Sequence, residues 1–343
     1  MVKLGFIGCG THSTNNTYPM LAYTQGRLEA VCDLNEELAV RNATLYGDKN
    51  TTVYVDAERM IAECALDGVM IVGSSEMHYQ YAMTALKRGI PAYVEKPAAP
   101  SLALAESLVA EAKRNNTFIM CGYMKRFGMA YRKIREMIDQ EQFNPSAGFF
   151  KYAHWNCDNL RDMLMFMSIH IIDLAVYMLG PVETVDSVCG RALGPISLCL
   201  TMRHKNGAVS QLMLDSLQPR LQEHIELSGL YNGKNALLLV DNVQHMELHS
   251  MEQEASFIDV LAPSLNEIEP HAGFGGISVW RPDYALPNMG QTRHFFQGFA
   301  GEAREFVNAI AEKRCASPSN DELLPAMRII EAVVSNPNGS SKL

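Results

Sequence analysis

A glycine-containing turn near the start of the chain has residue types suited to binding phosphate. The turn, Gly8-Cys9-Gly10-Thr11-His12-Ser13, follows the apolar run of residues 2–7. Glycines permit a tight turn here and let backbone N–H groups and a helix N-terminus face a pyrophosphate. Ser13 stands where this fingerprint has its third glycine, and a small side chain still allows close packing of helix on strand. The pattern therefore predicts a variant dinucleotide-binding turn.

Asp33 supplies a carboxylate at the spacing that this turn requires. It ends the next apolar run, about 20 residues further on, where an acidic side chain accepts hydrogen bonds from ribose hydroxyls. Residues 34–36 contain no basic side chain that would neutralise a 2′-phosphate. Because Asp33 would repel that phosphate, we predict that the cofactor is NAD(H) rather than NADP(H).

Lys96 is the candidate acid–base group. The tripeptide Glu95-Lys96-Pro97 follows the apolar run of residues 91–94, and Pro97 restricts Lys96 to an extended backbone. Ligands of open α/β sheets lie outside the carboxyl ends of the strands. A partly desolvated lysine there has a lowered pKa and exchanges protons with a hydroxyl or carbonyl group. We therefore interpret Lys96 as catalytic.

His170 and Asp173 are three residues apart on a predicted helix over residues 163–179, so they lie on neighbouring positions of one face. The predicted apolar stripe of this helix consists of Phe166, Ile169, Ile172 and Val176. Two polar groups beside such a stripe need a partner or a ligand. From the residues alone, a histidine that hydrogen-bonds to a carbonyl group inside the core is the favoured interpretation.

Alternating strands and helices must position these groups. Strands are predicted at residues 2–7, 31–33, 67–72, 91–94 and 118–121, and helices at residues 11–21, 36–46, 57–65, 78–88 and 101–115. This alternation predicts an α/β fold with an N-terminal Rossmann domain, a doubly wound parallel sheet, at residues 1–121.

The remainder, residues 122–343, is predicted as a substrate-binding and oligomerisation domain of the α+β type. Its sheet is expected to be mainly antiparallel and open on one face. A helix is predicted at residues 126–140, and strands at residues 147–155, 182–191, 197–204, 208–216, 224–229, 236–240 and 244–249. We expect the C-terminal helices, at about residues 300–335, to pack back on the first domain.

Composition narrows the partners. The 343 residues carry a net charge of −9 and no basic stripe with interleaved aromatics, which argues against nucleic acid. The N-terminus has no signal-peptide layout, and no apolar run approaches the length of a membrane span, so we expect a cytoplasmic protein with no membrane partner. Eight scattered cysteines predict reduced thiols and no metal site.

In its order of motifs the chain resembles the glucose–fructose oxidoreductase / inositol dehydrogenase / MocA (Gfo/Idh/MocA) family. The motifs are Gly8-x-Gly10, Asp67 to Val72 running to His78, Gly89 before Glu95-Lys96-Pro97, Arg126-Phe127, His170-x-x-Asp173-Leu174, Leu179-Gly180, and Glu302-x-x-x-Phe306-x-x-Ala309. The resemblance covers nearly the whole chain. It implies a nicotinamide-dependent oxidoreductase that forms a homodimer or homotetramer through the open face of its second sheet.

The resemblance also implies roles for single residues. It places His170 beside the substrate carbinol and the nicotinamide, and it places Asp173 on the substrate hydroxyls. The predicted catalytic residues are Lys96 and His170. The predicted cofactor-binding residues are Gly8, Cys9, Gly10, Thr11, His12, Asp33, Ser74, His78, Glu95, Lys96 and Arg126. The predicted substrate-binding residues are Lys96, Tyr123, Trp155, Asn156, His170 and Asp173.

The chain departs from the family at two places. Many members carry an aspartate four residues before the histidine, whereas this chain has Phe166, and Ser74-Ser75 stands where Thr-Pro is frequent. Lys96 then acts alone, or His170 is oriented by another group, or the reaction differs from simple dehydrogenation.

Polar loops indicate the substrate class. Residues 155–162 are rich in hydrogen-bonding side chains and include Trp155, and Trp280 is expected in a long irregular stretch over residues 263–294. A stacked aromatic with amides and carboxylates suits a polyhydroxylated ring, so we predict an oxidoreductase of a sugar or cyclitol. The alternatives are a non-catalytic dinucleotide- or sugar-binding regulatory module, and a lyase or glycosidase that retains NAD for transient oxidation.

Overall fold

The computed structural model describes residues 1–154, 156–251, 275–281 and 292–343. These residues form two compact units. The first unit consists of residues 1–128, 161–173 and the described residues of 290–335. The second unit consists of residues 129–160, the described residues of 174–289, and residues 336–343. The predicted domain boundary after residue 121 stays a prediction.

The first third of the chain alternates strand and helix as predicted. The elements are β1 Val2–Ile7, β2 Gly26–Cys32, α1 Glu36–Tyr46, β3 Thr52–Tyr54, α2 Ala57–Glu63, β4 Gly68–Ile71, α3 Ser75–Lys87, β5 Ala92–Glu95, α4 Leu102–Arg114 and β6 Ile119–Gly122. The short strand β3 was not predicted from the sequence. The predicted helix at residues 11–21 is instead a π turn, Ser13–Thr17, followed by a 3-10 helix, Tyr18–Tyr23.

The rest of the chain supplies five helices and nine strands within the described residues. The elements are α5 Met129–Asp139, β7 Phe143–Ala153, α6 Leu160–Leu179, β8 Val182–Gly190, β9 Ser197–His204, β10 Val209–Asp215, β11 Gln222–Tyr231, β12 Lys234–Asp241, β13 His245–Met251, β14 Gly275–Trp280, α7 Thr292–Gln297, α8 Phe299–Ala311, α9 Leu324–Ser335 and β15 Ser340–Lys342. Short 3-10 helices span Met124–Phe127 and Asn320–Leu323.

Six strands of the first unit form one parallel sheet in the order β3-β2-β1-β4-β5-β6. The chain runs outward from β1 on one side and then crosses to β4 on the other. The strand order therefore reverses between β1 and β4, and a crevice forms at the carboxyl ends of the strands beside this switch point. The predicted Rossmann sheet is confirmed.

Side-chain caps fix where the helices of this unit begin. A polar side chain directly before a helix accepts hydrogen bonds from its first free N–H groups. The capping residues are Asn35 for α1, Asp56 for α2, Ser74 for α3 and Ser101 for α4. Because each cap stands soon after a strand, the chain leaves the carboxyl end of the sheet and enters the next helix at a defined residue.

The core of the first unit joins the N-terminal sheet to a helix from near the C-terminus. Phe306 and Val307 of α8 belong to the same buried cluster as Leu4, Met70 and Tyr93 of strands β1, β4 and β5. Burial of these apolar side chains stabilises the attachment of α8 to the sheet. The helices α8 and α9 thus lie in the first unit.

The second unit is built on a nine-stranded sheet in the order β14-β13-β12-β11-β7-β10-β9-β8-β15. Only the pair β7 and β10 is parallel among its described strands. Burial alternates along the strands, for example along β9 and β10, so one face is apolar and buried while the other is open. The predicted α+β fold with a mainly antiparallel, open-faced sheet is confirmed.

The helix α6 contains a π turn at Met163–Ser168. Ile169, Ile172 and Val176 are buried as predicted, but the side chain of Phe166 is 46% exposed. The predicted stripe is therefore wrong at Phe166, because a π turn changes the angular spacing of side chains that regular helix geometry assumes.

The length and apolar composition of α6 are also sufficient to cross a membrane, contrary to the expectation from the sequence. Most of its residues are buried in the structure, which is the behaviour of a core helix.

Two further expectations need correction. Residues 263–294 are not irregular throughout, because β14 occupies Gly275–Trp280 and α7 begins at Thr292. Trp280 therefore ends a strand, where it pairs with Met246 of β13. The predicted helix over residues 126–140 is interrupted at Gly128, and only Met129–Asp139 is α-helical.

Candidate functional site

Gly8 and Gly10 have different structural roles in the N-terminal turn. Gly8 has φ +100°, and a Cβ atom there would lie 2.0 Å from the carbonyl oxygen of Val72, so only glycine fits. Gly10 is exposed, and a Cβ atom there would meet no atom within 4 Å. Gly8 therefore lets β1 and β4 approach each other, whereas Gly10 leaves free space on the outer side of the turn.

Asp33 is tied to this turn by its carboxylate. Its Oδ2 accepts a hydrogen bond of 2.7 Å from the backbone N–H of Cys9, and its Oδ1 accepts one of 2.9 Å from Asn35. Asp33 directly follows β2 and is half-buried. Each carboxylate oxygen retains a lone pair, so Asp33 can still accept hydrogen bonds from a ligand.

Polar side chains on the inner side hold the turn in shape. The carbonyl oxygen of Cys9 accepts hydrogen bonds from Thr14 Oγ1 at 3.1 Å and from Asn42 Nδ2 at 3.4 Å. Asn42 lies fully buried on α1, and sequence reasoning missed it, although an amide in a predicted helix was the available signal. Burial raises the pKa of the Cys9 thiol to about 11, so Cys9 contributes its backbone and not a thiolate.

His12 and Glu95 connect the turn to the end of β5. His12 Nε2 lies 3.4 Å from Glu95 Oε1, and the hydroxyl of Tyr93 donates to the same oxygen at 3.0 Å. Burial acts to raise the pKa of Glu95, but the hydrogen bond from His12 and the charges of His12 and Lys96 hold it below its ordinary value. Glu95 is thus a buried anion beside the predicted phosphate-binding turn.

A second buried carboxyl group, Glu302 of α8, faces the same tyrosine. It is 2% exposed, it shares a hydrogen bond with Tyr93, and its Oε1 has no hydrogen-bond partner among the described residues. Burial and the charge of Glu95 raise the pKa of Glu302 well above its ordinary value. The pair therefore consists of one ionised and one protonated carboxyl group.

Lys96 is positioned at the carboxyl end of β5. Its backbone N–H donates to Glu95 Oε2 at 3.1 Å, and its ammonium Nζ donates to the carbonyl oxygen of Phe166 at 2.6 Å. The peptide bond between Lys96 and Pro97 is cis. Burial lowers the pKa of Lys96, although the charge of Glu95 opposes this shift. An amine with a lowered pKa gives up and takes back a proton more readily near neutral pH.

His78 supports this strand end from behind. It is buried, its Nδ1 lies 2.9 Å from the carbonyl oxygen of Pro97, and its Nε2 accepts a hydrogen bond of 3.1 Å from the N–H of Gly73. Since Nε2 accepts, Nδ1 carries the proton and donates to Pro97. Both ring nitrogens are thus occupied by backbone, and the predicted cofactor contact of His78 stays a prediction.

His170 is a buried imidazole with an unused nitrogen. It is 7% exposed, and its Nδ1 has no hydrogen-bond partner among the described residues. Burial lowers the pKa of His170 well below its ordinary value, and the charges of Lys96 and Lys125 lower it further. The ring is therefore neutral, and its buried Nδ1 is left without a partner among the described residues.

The carboxylate of Asp173 is paired with the guanidinium group of Arg126. Its two carboxylate oxygens accept hydrogen bonds from Arg126, with Nε–Oδ2 at 2.8 Å and a terminal guanidinium nitrogen to Oδ1 at 2.6 Å. Both side chains are buried. The guanidinium group of Arg126 also lies 5.7 Å from the ring centre of Tyr123, whose hydroxyl donates to the carbonyl oxygen of Leu323. These three predicted ligand-binding residues form one buried cluster.

The remaining predicted residues are spread out. Thr11 and Ser74 are exposed, and Ser74 caps α3 through a 3.4 Å contact to the N–H of Met77. Asn156 is exposed in the loop after β7, in the second unit. Trp155 lies outside the described residues. Within the described residues, no three His, Cys, Asp or Glu side chains are placed to hold a metal ion.

The arrangement in the first unit fits a dinucleotide. The outer side of Gly10 is open, the turn presents backbone at the carboxyl edge of the sheet, and Asp33 has acceptor capacity left at the end of β2. Lys96 and the neutral His170 provide a proton-exchanging amine and an unoccupied ring nitrogen in the same unit. This donor set suits binding of a nucleotide and proton exchange with a hydroxyl or carbonyl group.

Comparisons with known proteins agree with this fold. The family model described as an oxidoreductase family with an NAD-binding Rossmann fold, GFO_IDH_MocA, matches residues 2–123. The inositol 2-dehydrogenase/D-chiro-inositol 3-dehydrogenase of Shouchella clausii is 28% identical over 189 residues, which are 52% of this chain and 53% of that protein. The chain thus spans about half the length of this curated relative.

Solved structures match the chain over nearly its whole length. A dehydrogenase from Chromobacterium violaceum has a TM-score of 0.82 at 24% identity, covering 98% of this chain and 95% of that one. Levoglucosan dehydrogenase, solved with NADH and levoglucosan, has a TM-score of 0.80 at 17% identity, covering 99% of both chains. At these identities the likeness shows the shared two-sheet fold.

Proposed function

The chain belongs to the Gfo/Idh/MocA family of oxidoreductases, and from this premise we propose that it is an NAD(H)-dependent dehydrogenase or reductase acting on a carbinol of a sugar, cyclitol or sugar derivative. The observation that carries the proposal is the position of Lys96. It is a half-buried lysine whose amine has a lowered pKa at the carboxyl end of β5, in the unit that contains the predicted dinucleotide-binding turn.

Residues of the first unit would hold the cofactor. The backbone of the turn at Gly8 to His12 faces the pyrophosphate, and Asp33 accepts hydrogen bonds from the ribose hydroxyls. The ionised Glu95 holds His12 at the turn through their 3.4 Å contact. Because Asp33 repels a 2′-phosphate, we propose a preference for NAD(H) over NADP(H). When bound, a nicotinamide supplies hydride exchange with the carbinol carbon.

Lys96 and His170 carry the proton chemistry in this proposal. In the oxidation direction the neutral amine of Lys96 takes the hydroxyl proton, and in the reduction direction its ammonium returns a proton to the carbonyl oxygen. The neutral His170 offers its imidazole ring for a hydrogen bond that orients the reacting oxygen. Asp173 is already hydrogen-bonded to Arg126. It therefore acts on the substrate either through Arg126 or by accepting a hydrogen bond from a substrate hydroxyl on its remaining lone pairs.

The substrate class rests on the relatives and on the donors of the site. One relative is named an inositol dehydrogenase, and one neighbouring structure holds levoglucosan and NADH. A lysine, a neutral imidazole and a carboxylate offer donors and acceptors for several hydroxyl groups. The contacts of Trp155 and Asn156 with the polyhydroxylated ring stay predictions from the sequence.

Titration calorimetry with the cofactor-free protein tests the cofactor. We expect NADH to bind more tightly than NADPH, and we expect Asp33→Asn to reduce this difference by weakening NADH and relieving repulsion of the 2′-phosphate. Glu29→Gln, also on β2, is the matched control. If neither dinucleotide binds, the oxidoreductase proposal fails and a regulatory sugar-binding module becomes the better interpretation.

A panel of inositols, hexoses and sugar acids with NAD⁺ tests the reaction. On any substrate that the wild type oxidises, we expect Lys96→Met to lose turnover by about 10²- to 10⁴-fold, the usual contribution of a general base. The exposed Lys49→Met serves as a control and should retain turnover. Full turnover by the Lys96→Met enzyme would contradict the assigned role.

We also propose that the protein is a cytoplasmic homodimer or homotetramer that packs through the open face of its second sheet. Exposed apolar side chains on this face, Val188, Val209, Ile277 and Val279, would otherwise contact water. Light scattering should give a multiple of the 38.1 kDa chain mass. Ile277→Lys with Val279→Lys should lower that multiple, and a wild-type mass of one chain would contradict the proposal.

A further inference from the structure

The ammonium group of Lys96 is held by main chain. Its Nζ donates a 2.6 Å hydrogen bond to the carbonyl oxygen of Phe166. Phe166 lies inside the π turn at Met163–Ser168, four residues before His170. The acceptor is the backbone oxygen of Phe166 and not its ring, and the residue is 46% exposed.

The π turn explains why a helix carbonyl is available at this point. A carbonyl oxygen has two lone pairs, and in a helix one of them serves the intrahelical hydrogen bond. A π turn bonds i to i+5 instead of i to i+4, which displaces its carbonyl groups from regular helix geometry. The second lone pair can then accept a donor from another element. Here that donor is the side chain that follows β5.

We propose that the main-chain carbonyl of Phe166 is the positioning group for the amine of Lys96. It binds one N–H of the amine, so the direction in which the remaining lone pair or protons point is fixed. The catalytic consequence rests on the proposed function, but the hydrogen bond and its effect on protonation do not.

A carbonyl differs from a carboxylate in its effect on the amine. An anion beside Lys96 would raise its pKa strongly, whereas a neutral acceptor adds only the strength of one hydrogen bond to the charged form. The groups that act on the Lys96 charge are Glu95, which raises the pKa, and Lys125, which lowers it, together with the buried thiol of Cys121. His170 is neutral. The Phe166 carbonyl therefore fixes the amine and leaves its lowered pKa in place.

The test weakens that one acceptor. Replacing Met167 by its 2-hydroxy analogue converts the Phe166–Met167 amide into an ester, whose carbonyl is a poorer acceptor. The pKa of Lys96 is then read from the ¹³Cε shifts of ¹³C-lysine-labelled protein, with the Lys96 signal assigned by Lys96→Met. Since the carbonyl favours the ammonium form, we expect the pKa of Lys96 to fall by about 0.5 to 1 unit in the ester variant.

Two controls separate this effect from damage to the helix. The 2-hydroxy analogue of serine at Ser168 alters the same π turn but leaves the Phe166 carbonyl an amide, so the pKa of Lys96 should stay at the wild-type value. Phe166→Ala removes the ring and keeps the carbonyl, and it should behave in the same way. An unchanged pKa in the Met167 ester, or an equal shift in the Ser168 ester, would overturn the proposal.

The wild-type protein gives a measure that does not depend on the folding of any variant. In ¹⁵N-lysine protein, protons of a hydrogen-bonded ammonium at Lys96 should exchange with water more slowly than those of the exposed Lys49. Equal exchange rates would contradict the hydrogen bond. Neither measurement needs a substrate, so failure of the dehydrogenase proposal and failure of this inference are distinguishable.

Discussion

At the scale of single residues, the site depends on how burial changes protonation. Lys96, His170 and Glu302 all have pKa values displaced toward the neutral form, while Glu95 stays ionised because His12 and Lys96 face it. Groups whose environments push their pKa values in different directions are typical of acid–base sites.

The pH dependence of turnover should report Lys96. Burial lowers its pKa below the ordinary value of 10.5, and oxidation needs the unprotonated amine. The rate of oxidation should therefore rise with pH and level off below the range of an exposed lysine, while the rate of reduction falls over the same interval. Profiles of kcat/KM against pH measure this. A limb at the ordinary lysine pKa, or none at all, would argue against Lys96 as the base.

The buried pair of Arg126 and Asp173 is a second prediction at this scale. Arg126→Met leaves an unpaired buried carboxylate and should lower the free energy of unfolding by about 3 to 5 kcal/mol. Arg126→Met with Asp173→Leu removes both charges and should recover most of that loss. Urea unfolding followed by circular dichroism measures both. If the double variant is as unstable as the single one, the pair is not the source of the loss.

At the scale of elements, the termini of strands and helices assemble the site. The turn after β1, Asp33 after β2, and Glu95 and Lys96 at the end of β5 all lie at the carboxyl edge of one parallel sheet. Two π turns, Ser13–Thr17 and Met163–Ser168, lie close in sequence to His12 and His170. Such turns displace helix backbone from regular geometry, and they are frequent at functional sites.

The two glycines of the turn provide a matched test at this scale. Gly8→Ala should lower the free energy of unfolding by about 1 to 3 kcal/mol, because φ is +100° and the Cβ atom collides with Val72. Gly10→Ala should leave stability within about 0.5 kcal/mol of the wild type. Gly10→Ala should instead lower the affinity for NADH by about tenfold, or about 1.4 kcal/mol, since its methyl group enters the open side of the turn. Unfolding curves measure the effect on stability, and calorimetry measures the effect on NADH binding. Wild-type NADH affinity in Gly10→Ala would contradict a phosphate site at this turn.

At the scale of the whole molecule, distant parts of the chain complete the first unit. Residues 161–173 and the C-terminal helices α8 and α9 join the N-terminal sheet in one compact unit. Glu302 of α8 thereby lies against Tyr93 of β5, within a core that includes Phe306. Stability of this unit is consequently linked to the protonation of one buried carboxyl group.

The protonation of Glu302 should make stability fall as pH rises. Its pKa in the folded state is raised above the ordinary value of 4.5, so the folded protein holds a proton that the unfolded chain releases. The contribution is complete below the unfolded pKa and is lost upward toward the folded pKa, at about 1.4 kcal/mol per pH unit. Unfolding free energies of wild type and Glu302→Gln should therefore diverge in favour of Gln as the pH rises above the ordinary pKa of 4.5. A difference that does not vary with pH would contradict a buried neutral Glu302.

Local patterns in the sequence were sufficient for the sheet and for its edge. Periodicity and caps predicted α1 at Glu36–Tyr46 without error and strand β9 at Ser197–His204, because short-range propensity and alternating burial agree there. The positions of Gly8, Asp33 and Lys96 followed from their place at strand ends. The three-residue strand β3 was not predicted, because its short sequence has no clear strand pattern. It is a strand because it is hydrogen-bonded to β2.

The sequence by itself determined the Rossmann sheet, the open-faced second sheet and which residues lie at the carboxyl edge of the first sheet, because each of these depends on local spacing. Tertiary structure alone decided which of the predicted residues face one another. Arg126 is hydrogen-bonded to Asp173, which is 47 residues away in the sequence, and Lys96 is hydrogen-bonded to the Phe166 carbonyl, which is 70 residues away. Such contacts depend on how residues 161–173 pack within the first unit and on a π turn that this packing stabilises, and no local pattern in the chain encodes that balance.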